Sequence, residues 1–435
     1  MTYTRSNELQ KKSHTLIPGG AHTYAKGDDQ YPELAPGFLE KGKGCHVWDL
    51  DGNEFIEYGM GLRSVTLGHA YEPVVEAAYR QMQLGINFTR PSSIEVECAE
   101  EFLSFIDGAE MVKFAKNGSD VTTAAVKLAR AYTGRDLVAI CVDHPFFSVD
   151  DWFIGTTDMS AGIPQAVKDL TVKFHYNDIE EVQSLFAKYP NQIACLFMEV
   201  ERLEPPKEGF LQQVKELCHA NGTLLIFDEI ITGFRWHMGG AQKYHGIIPD
   251  LSTFGKAMGN GFSIAALCGK REIMELGGLQ HDREKVFLLS TTFGAETHSL
   301  AATLATMKIY KTEPVIEHLY RQGDRLTKGI NQSVQEHHLE ENFGVLGKPC
   351  NLLYFTRDQN GQPSQPLRTL FLQEIIRRGV IAPSLVVSYS HTDEDIDHTL
   401  DAINEALYVY RKALDEGYET YLVGSSIKPA VRKYN

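Results

Sequence analysis

The stretch that decides the fold reads Leu224-Leu225-Ile226-Phe227-Asp228-Glu229 and, further downstream, Ser252-Thr253-Phe254-Gly255-Lys256-Ala257-Met258-Gly259-Asn260-Gly261. Its first part has the composition of a buried strand and ends in two acids. An acid at the carboxyl end of a buried parallel strand lies where open α/β sheets place their ligand-binding groups. The stretch therefore predicts an α/β fold with a binding site at the end of this strand.

The lysine of this stretch is poorly suited to a role on the surface. Lys256 follows a small residue and precedes a glycine-punctuated loop. This setting suits an amine that is held near a cofactor and kept partly dehydrated, so that it can act as a nucleophile. Together, Lys256 and Asp228 indicate pyridoxal 5'-phosphate (PLP), with Lys256 linked covalently to the cofactor and Asp228 paired with its protonated pyridine nitrogen. An ordinary loop lysine beside a helix-capping aspartate is the alternative that this pair alone leaves open.

The size and charge of the chain limit its class. Its 435 residues exceed what one hydrophobic core usually organises, so two or three subdomains are expected. The 43% of hydrophobic and 23% of charged residues are typical of a soluble globular enzyme. A net charge of -15, with only Lys11-Lys12 and Arg377-Arg378 as basic clusters, argues against a nucleic-acid surface.

The cysteines and the N-terminal segment bear on the cellular location of the protein. The seven cysteines are scattered without Cys-x-x-Cys spacing, so we expect reduced thiols and no metal site. Residues Met1–Ser6 open no apolar signal segment, and no run approaches the roughly 18 apolar residues of a membrane-spanning helix. We therefore expect a cytoplasmic protein without a membrane partner.

Helical and apolar stretches alternate from about residue 70 to residue 300. The predicted strands include Leu137–Val142, Ile193–Glu199 and Thr223–Asp228, and the predicted helices include Val121–Tyr132 and Phe210–Ala220. Such alternation predicts a mostly parallel sheet with helices on both of its faces.

The order of predicted helices and strands changes after residue 300. Long helices are predicted over Ser299–Lys311 and Val315–His337, with a strand near Leu352–Thr356. We therefore predict a large domain over residues 61–310 and a smaller α+β domain over residues 311–435, to which residues 1–60 contribute.

Cys45–Tyr58 is predicted to form a hairpin, with Asp51-Gly52 as its tight turn. Its spacing Asp49-x-Asp51-x-Asn53 resembles the start of a calcium loop. Position six of such a loop requires glycine, where Glu54 stands, and position twelve requires glutamate, where Met60 stands. The sequence therefore argues against calcium.

Three further segments could contact parts of PLP. Gly118 and Ser119 precede the predicted helix Val121–Tyr132, and a helix N-terminus offers N–H groups and a positive dipole end to a phosphate. A plain N-cap by Ser119 or Asp120 is the alternative.

The other two segments lie further along the chain. Asp143-His144-Pro145-Phe146-Phe147 follows a predicted strand, so one of its aromatic rings could stack on the pyridine ring. Ser290-Thr291-Thr292-Phe293-Gly294 places hydroxyls beside a glycine, which is a plausible phosphate contact.

Several motifs, taken in order, match one known family. They are Ile17-Pro18-Gly19-Gly20, Trp48-Asp49-x-Asp51-Gly52-Asn53, Leu67-Gly68-His69, Lys127 to Arg135 (Lys-Leu-Ala-Arg-Ala-Tyr-Thr-Gly-Arg), Leu225 to Arg235 (Leu-Ile-Phe-Asp-Glu-Ile-Ile-Thr-Gly-Phe-Arg), Gly255 to Gly261 (Gly-Lys-Ala-Met-Gly-Asn-Gly) and Ile381-Ala382-Pro383-Ser384. On these residues the chain resembles a class III PLP aminotransferase over nearly its whole length. It is similar to the branch that includes glutamate-1-semialdehyde 2,1-aminomutase.

The resemblance implies a type I PLP-dependent aminotransferase fold and a role for each matching residue. Lys256 would hold PLP covalently and move the proton between substrate and cofactor carbons, while Asp228 would keep the pyridine nitrogen protonated. Ile230 would pack on one face of the ring. Phe146, in Phe146-Phe147-Ser148 where the family has Tyr-His-Gly, would stack on the other face.

The resemblance also implies the remaining contacts and the assembly. Gly118 and Ser119 correspond to the family's Gly-Thr and would bind the phosphate. Thr292 matches the threonine that reaches the phosphate of a neighbouring subunit, which implies a homodimer with shared active sites. Glu199 matches the family acid that gates the active site, although the usual Glu-Pro has become Glu-Val.

Departures from the aminomutase pattern bear on the substrate. Lys26 stands where the aminomutase has a carboxylate-binding arginine, and a lysine lacks the planar fork for bidentate recognition. Arg63 introduces a positive charge where the aminomutase has a tryptophan region. The predicted function is therefore transfer of an amino group from an amino acid such as glutamate to a polar keto or aldehyde acceptor. A keto-sugar acid of the 8-keto-3-deoxy-octulosonate type, used in lipopolysaccharide synthesis, is one such acceptor, and glutamate-1-semialdehyde 2,1-aminomutase activity is the alternative.

Two other classes of protein share part of this pattern. A PLP-dependent decarboxylase or racemase would share Lys256 and Asp228, but the segments around them match aminotransferases better. A non-enzymatic binding protein on this fold is expected to lose the lysine or the phosphate loop, and both are present here.

Overall fold

The computed structural model describes residues 1–434, which form two compact units. One unit comprises Met1–Tyr71 together with the residues from Glu317 onward, and the other comprises Glu72–Ile316. The predicted domain boundaries after residues 60 and 310 stay a prediction.

Most strands are short and fall into three sheets. The strands of the described residues are β1 (Leu39–Lys43), β2 (His46–Asp49), β3 (Glu54–Glu57), β4 (Met111–Ala115), β5 (Leu137–Cys141), β6 (Thr171–Phe174), β7 (Ile193–Glu199), β8 (Leu224–Asp228), β9 (Leu251–Phe254), β10 (Ala265–Gly269), β11 (Phe343–Leu346), β12 (Leu353–Thr356) and β13 (Val380–Ile381).

The helices range from single turns to rods of more than twenty residues. They are α1 (Thr4–Leu16), α2 (Met60–Arg63), α3 (Glu72–Leu84), α4 (Ser93–Leu103), α5 (Gly118–Thr133), α6 (Asp151–Ile154), α7 (Gln165–Lys168), α8 (Ile179–Lys188), α9 (Phe210–Ala220), α10 (Gly240–His245), α11 (Arg271–Met274), α12 (Thr297–Thr312), α13 (Val315–Glu336), α14 (Gln365–Arg377) and α15 (Asp393–Glu416).

The unit Glu72–Ile316 is built on a seven-stranded sheet in the order β4-β10-β9-β8-β7-β5-β6. The neighbours from β9 to β6 are parallel, and β10 runs antiparallel to both β9 and β4. Parallel neighbours need long crossovers, which helices such as α9 supply. The predicted mostly parallel sheet is confirmed.

The central strands β7 and β8 are buried at every position. Strands of a parallel sheet are covered on both faces and therefore read as continuous apolar runs, as Ile193–Phe197 and Leu224–Phe227 do. Each strand ends in a buried acid, Glu199 on β7 and Asp228 on β8.

Helix α5 begins with a capping box, in which the Asn117 side chain accepts from the N–H of Asp120 and the Asp120 side chain accepts from the N–H of Asn117. Its apolar face joins the core of its unit, and Gly134 ends the helix in the left-handed region at φ 66°. The N-cap is Asn117, so neither Ser119 nor Asp120 is the plain N-cap of the alternative, and Asp120 takes part as the third residue of the capping box. Gly118 and Ser119 form the first turn.

The other unit contains the sheet β1-β2-β3-β13 and the hairpin β11-β12. The predicted hairpin is present as antiparallel β2 and β3. Asp49, the first residue of the calcium-like spacing, accepts the N–H groups of Asp51 and Asn53 at 2.9 and 2.8 Å. Its carboxylate therefore stabilises the turn, which explains the spacing without a bound ion.

Across residues 1–434, no helix is both long enough and apolar enough to cross a membrane.

Candidate active site

Glu199 and Asp228 stand side by side at the carboxyl ends of β7 and β8, where they are paired in register. Both residues are almost completely buried, with 3% and 4% of their surface exposed. Burying two carboxyl groups this close together is costly unless each has partners.

Asp228 receives two hydrogen bonds on the same oxygen. The backbone N–H of Ile230 and the hydroxyl of Thr253 donate to Oδ1 at 2.9 and 3.2 Å. Burial, and then the charge of Glu199, raise the pKa of Asp228 to about 7, although these two donors and the charge of Lys256 act in the opposite direction. Such a carboxylate gains stability from a cationic N–H partner.

The second acid of the strand end, Glu229, has a structural role. Its carboxylate accepts the N–H groups of Ala241 and Gln242 at 2.7 and 2.6 Å and the hydroxyl of Thr232. Burial raises its pKa to about 8. Its oxygens hold the start of α10, so Asp228 is the acid of the pair that is available to a ligand.

Glu199 differs from Asp228 in its partners. Its Oε1 lies 3.2 Å from Nη1 of Arg202, whereas its Oε2 is buried without a hydrogen-bond partner among the described residues. The backbone N–H of Glu199 donates to Nδ1 of the buried His144 at 3.0 Å. Arg202 was not predicted from the sequence, because it follows the strand end in a non-helical segment where no local period pairs it with Glu199.

Lys256 directly follows the turn that leaves β9. It has a φ of +44°, which is a strained conformation for a residue with a side chain, and it opens a single helical turn over Lys256–Gly259. Its charge lowers the pKa of Asp228, which places the two groups in one electrostatic environment. The structure therefore brings together the lysine and the acid that the sequence analysis paired.

The first turn of α5 meets the same region. A Cβ atom on Gly118 would lie only 2.7 Å from Cδ1 of Ile230, so the glycine allows α5 and the loop after β8 to approach closely. Ser119 Oγ accepts the N–H of Val149 at 3.0 Å and keeps its own proton for donation. N–H groups in a first helical turn favour an anion.

Phe146 and Phe147 differ in their surroundings. Phe147 is buried in the core, whereas half of the surface of Phe146 is exposed and its ring meets that of Phe153 edge to face. Phe146 is thus the more accessible of the two rings.

Thr292 lies on an exposed segment of the same unit. Its carbonyl accepts a hydrogen bond from the Asn87 side chain at 2.9 Å. Two large rings nearby in sequence, Phe287 and Phe293, are also mostly exposed.

Lys26 and Arg63 belong to the unit that contains Met1–Tyr71. Lys26 is exposed at the end of a single helical turn. Arg63 is partly buried, and its Nε donates to Oδ1 of the buried Asn351 at 2.9 Å.

Arg63 ends an unusual turn, since all four residues of α2, Met60–Arg63, have positive φ values between 42° and 74°. The turn is held by hydrogen bonds: Met60 N–H donates to the buried Glu57 at 2.7 Å, and Ser64 Oγ donates to the Gly61 carbonyl at 2.7 Å. Left-handed residues other than glycine cost about 1–2 kcal/mol each, so surrounding contacts must stabilise this turn.

A different group of side chains comes within metal-ligand reach of one another. Cys45, His46 and Asp395 lie close together, but their distances are those of hydrogen bonds, with Cys45 Sγ and His46 Nε2 at 3.2 and 3.0 Å from the Asp395 carboxylate. Asp395 also accepts from Thr392 as part of the cap of α15. The expectation of no metal site stays a prediction.

A sequence profile of the family described as aminotransferase class-III matches residues 27–407. The chain belongs to the class III aminotransferases. The glutamate-1-semialdehyde 2,1-aminomutase of Methanosphaera stadtmanae is 33% identical over 431 residues, covering 94% of this chain and 99% of that protein. The 3-aminobutyryl-CoA aminotransferase of Cloacimonas acidaminovorans is 32% identical, with 94% and 98% covered.

Solved structures confirm the type I aminotransferase fold. The FumI protein of Sphingopyxis sp. MTA144, solved as its PLP internal aldimine form, gives a TM-score of 0.86 at 26% identity, with 95% of this chain and 98% of that chain covered. An omega-transaminase from Sphaerobacter thermophilus gives 0.83 at 25% identity, with 93% and 98% covered. This class III aminotransferase is a PLP-dependent enzyme.

The chain's own residues fit this cofactor. Asp228 is a buried carboxylate whose raised pKa a protonated ring nitrogen would offset. Lys256 would supply the amine, and the first turn of α5, which Gly118 lets approach Ile230 closely, would supply N–H donors for a phosphate. These groups all belong to the unit Glu72–Ile316.

Proposed function

We propose that this class III aminotransferase moves an amino group from glutamate to a polar keto or aldehyde acceptor that carries an anionic group. The acceptor we favour is a keto-sugar acid of the 8-keto-3-deoxy-octulosonate type, aminated for the synthesis of lipopolysaccharide sugars. The observation that carries the proposal is Arg63, a cation in a strained turn and held by the buried Asn351.

In this proposal Lys256 and Asp228 carry the chemistry. Nζ of Lys256 would hold PLP covalently, and as a free amine it would carry the proton between the substrate carbon and the cofactor carbon. The carboxylate of Asp228 holds the proton on the ring nitrogen. PLP supplies an electron sink for the negative charge that develops on the substrate carbon.

Four further residues position the cofactor. Gly118 and Ser119 bind the phosphate through the first turn of α5, which combines free N–H groups with the positive end of the helix dipole. Ile230 packs on one face of the ring and Phe146 stacks on the other. The close approach of Gly118 to Ile230 and the half-exposed side chain of Phe146 support these assignments.

We also propose that the enzyme is a homodimer in which Thr292 reaches the phosphate bound by its partner. Thr292 is exposed in the single chain, as are the neighbouring rings of Phe287 and Phe293. Helix α3 adds an exposed apolar stripe at Val75, Tyr79 and Met82, spaced along one helical face. Apolar groups in such a patch gain stability from burial against a second copy.

The anion of the acceptor is assigned to Lys26 and Arg63. A guanidinium whose Nε is held by a buried amide has a defined plane, and a planar guanidinium suits a carboxylate. Lys26 is exposed, so we assign it the weaker contact. Glu199 is assigned to the gate of the site, where its unpartnered Oε2 can accept from a ligand.

The second candidate is glutamate-1-semialdehyde 2,1-aminomutase, an intramolecular amino shift in tetrapyrrole synthesis. It is supported by relatives of that name that match nearly the whole chain, from Methanosphaera stadtmanae at 33% identity and from Bacillus subtilis at 31%. For either function we propose a cytoplasmic enzyme, and the free state of all seven cysteines supports this location.

One experiment separates the two functions. The purified PLP-loaded enzyme is incubated with glutamate and a panel of keto acids and keto-sugar acids, and the 2-oxoglutarate released is measured. In parallel, glutamate-1-semialdehyde is supplied without a donor, and 5-aminolevulinate is measured. Turnover of a keto-sugar acid supports the first function, whereas efficient conversion of glutamate-1-semialdehyde replaces it with the second.

A further inference from the structure

The two acids at the ends of β7 and β8 pose an electrostatic problem. Glu199 and Asp228 are register partners on adjacent parallel strands, about 4.8 Å apart at the backbone, and both are buried. Like charges this close and this dry cannot both stay ionised without nearby compensation. The ring-nitrogen role proposed for Asp228 requires its ionised form.

The charged and titratable groups around the pair come from several elements. Lys256, after β9, acts on Asp228, and Glu229 on the same strand end acts as a like charge. Near Glu199, burial lowers the pKa of His144, and His144 accepts the Glu199 N–H at Nδ1, so it is a neutral neighbour. Asp143 is a further acid that acts on His144.

Arg202 contacts Glu199 directly. Its Nη1 lies 3.2 Å from Oε1, and the side chain is only 19% exposed. The residues that precede it are fixed, because Tyr176 donates to the Val200 carbonyl at 2.6 Å and Glu201 pairs with His245 at 2.6 Å. A guanidinium stays charged at every working pH, so this compensation is permanent.

We propose that Arg202 is a positioning residue of the reaction, which offsets part of the charge of Glu199 and thereby favours the ionised form of Asp228 opposite the protonated ring nitrogen of PLP. This inference rests on the proposed role of Asp228. Arg202 acts through Glu199 and touches neither substrate nor cofactor. Its effect is therefore expected in pH dependence and cofactor retention.

The test is Arg202→Met in the PLP-loaded enzyme. We expect the acid limb of the kcat profile to move upward by about one pH unit, because an uncompensated Glu199 charge raises the pKa of Asp228. PLP retention at pH 7, measured by equilibrium dialysis, should fall on the order of tenfold, since one pKa unit corresponds to a tenfold change. Arg202→Lys should restore most of the wild-type position of the acid limb and most of the PLP retention. Lys207→Met removes an exposed cation from the same loop and is the control. It should leave both the acid limb and the PLP retention unchanged.

A double substitution makes the inference specific. Glu199→Gln should move the acid limb downward by itself, and adding Arg202→Met to it should cause no further shift. Equal shifts from Arg202→Met with and without Glu199 would overturn the inference, as would an unshifted profile for Arg202→Met. If Arg202→Met fails to fold, Glu199→Gln decides alone, because an unmoved acid limb there also overturns the inference.

The experiment also distinguishes an error in the proposed role of Asp228 from an error in the proposed role of Arg202. If Asp228→Asn transaminates within a few-fold of the wild type, the ring-nitrogen assignment is wrong whatever Arg202 does. If Asp228→Asn is inactive while Arg202→Met leaves the pH profile and PLP retention unchanged, only the role of Arg202 is wrong.

Discussion

Replacing Asp228 by asparagine should damage the reaction and stabilise the cofactor-free protein. Asparagine keeps an oxygen for the donors Ile230 and Thr253, which now bond to Oδ1. It removes the negative charge that is buried beside Glu199. The substitution therefore separates the functional role of the charge from its cost to the fold.

The magnitude follows from the pKa of Asp228, which burial and Glu199 raise from 3.8 to about 7. Because the pKa of the folded state lies above that of the unfolded state, the carboxyl group contributes stability that is fully present below about pH 4. This contribution is lost as the pH rises through 7. The loss amounts to about 4 kcal/mol at pH 8, since one pKa unit corresponds to about 1.4 kcal/mol. Asparagine does not titrate and avoids this loss.

The assay is urea unfolding of both cofactor-free proteins at pH 8 and at pH 4. We expect Asp228→Asn to have the higher free energy of unfolding at pH 8, by up to about 4 kcal/mol, and the difference to shrink toward zero at pH 4. Glu229 is present in both proteins, and since the charge of Asp228 helps to raise its pKa, the substitution changes its contribution in the same direction. A difference that does not change with pH, or a wild type that is more stable at pH 8, would refute the reasoning.

The same variant should bind PLP yet lose nearly all turnover. The Coulomb attraction of such a partly shielded pair at 4 Å is about 4 kcal/mol, which corresponds to roughly a thousandfold in rate. Activity within a few-fold of the wild type would give Asp228 a structural role only.

The remaining predictions concern the amine, the assembly and the acceptor. Lys256→Ala should lose the visible absorbance of the bound cofactor and at least about 10²- to 10⁴-fold in turnover, with an unchanged circular dichroism spectrum; near-normal transamination would contradict its role. Thr292→Val should release PLP faster without altering thermal stability, and light scattering that finds an active monomer would rule out the shared site. Arg63→Ala should raise KM for the acceptor by about tenfold or more at unchanged KM for glutamate, because a charged hydrogen bond is worth about 1.5–3 kcal/mol. Lys26→Ala should show a smaller effect of the same kind, and unchanged constants in both variants would place specificity elsewhere.

The local pattern of apolar and polar residues was sufficient to predict the helices and strands that hold the site residues. Ile193–Glu199 and Phe210–Ala220 have the same bounds in the structure as in the prediction, because a short apolar run and a repeating apolar face each specify one backbone period. The hairpin at Asp51-Gly52 was also predictable, since its turn residues act locally. The antiparallel strand β10 was not predicted, because its direction depends on pairing with β4 and β9.

The sequence by itself determined the chemical groups of the site and the order in which the strands present them. Lys256 and Asp228 could be paired because strand ends of a parallel sheet lie at one edge. Only the tertiary structure decided which acid is available, since Glu229 turns to the N–H groups of α10 while Asp228 does not. It also decided that Arg202 faces Glu199 and that Asn351 holds Arg63. These pairings depend on side-chain direction and burial, which the packing of distant segments sets and which no local period of the sequence encodes.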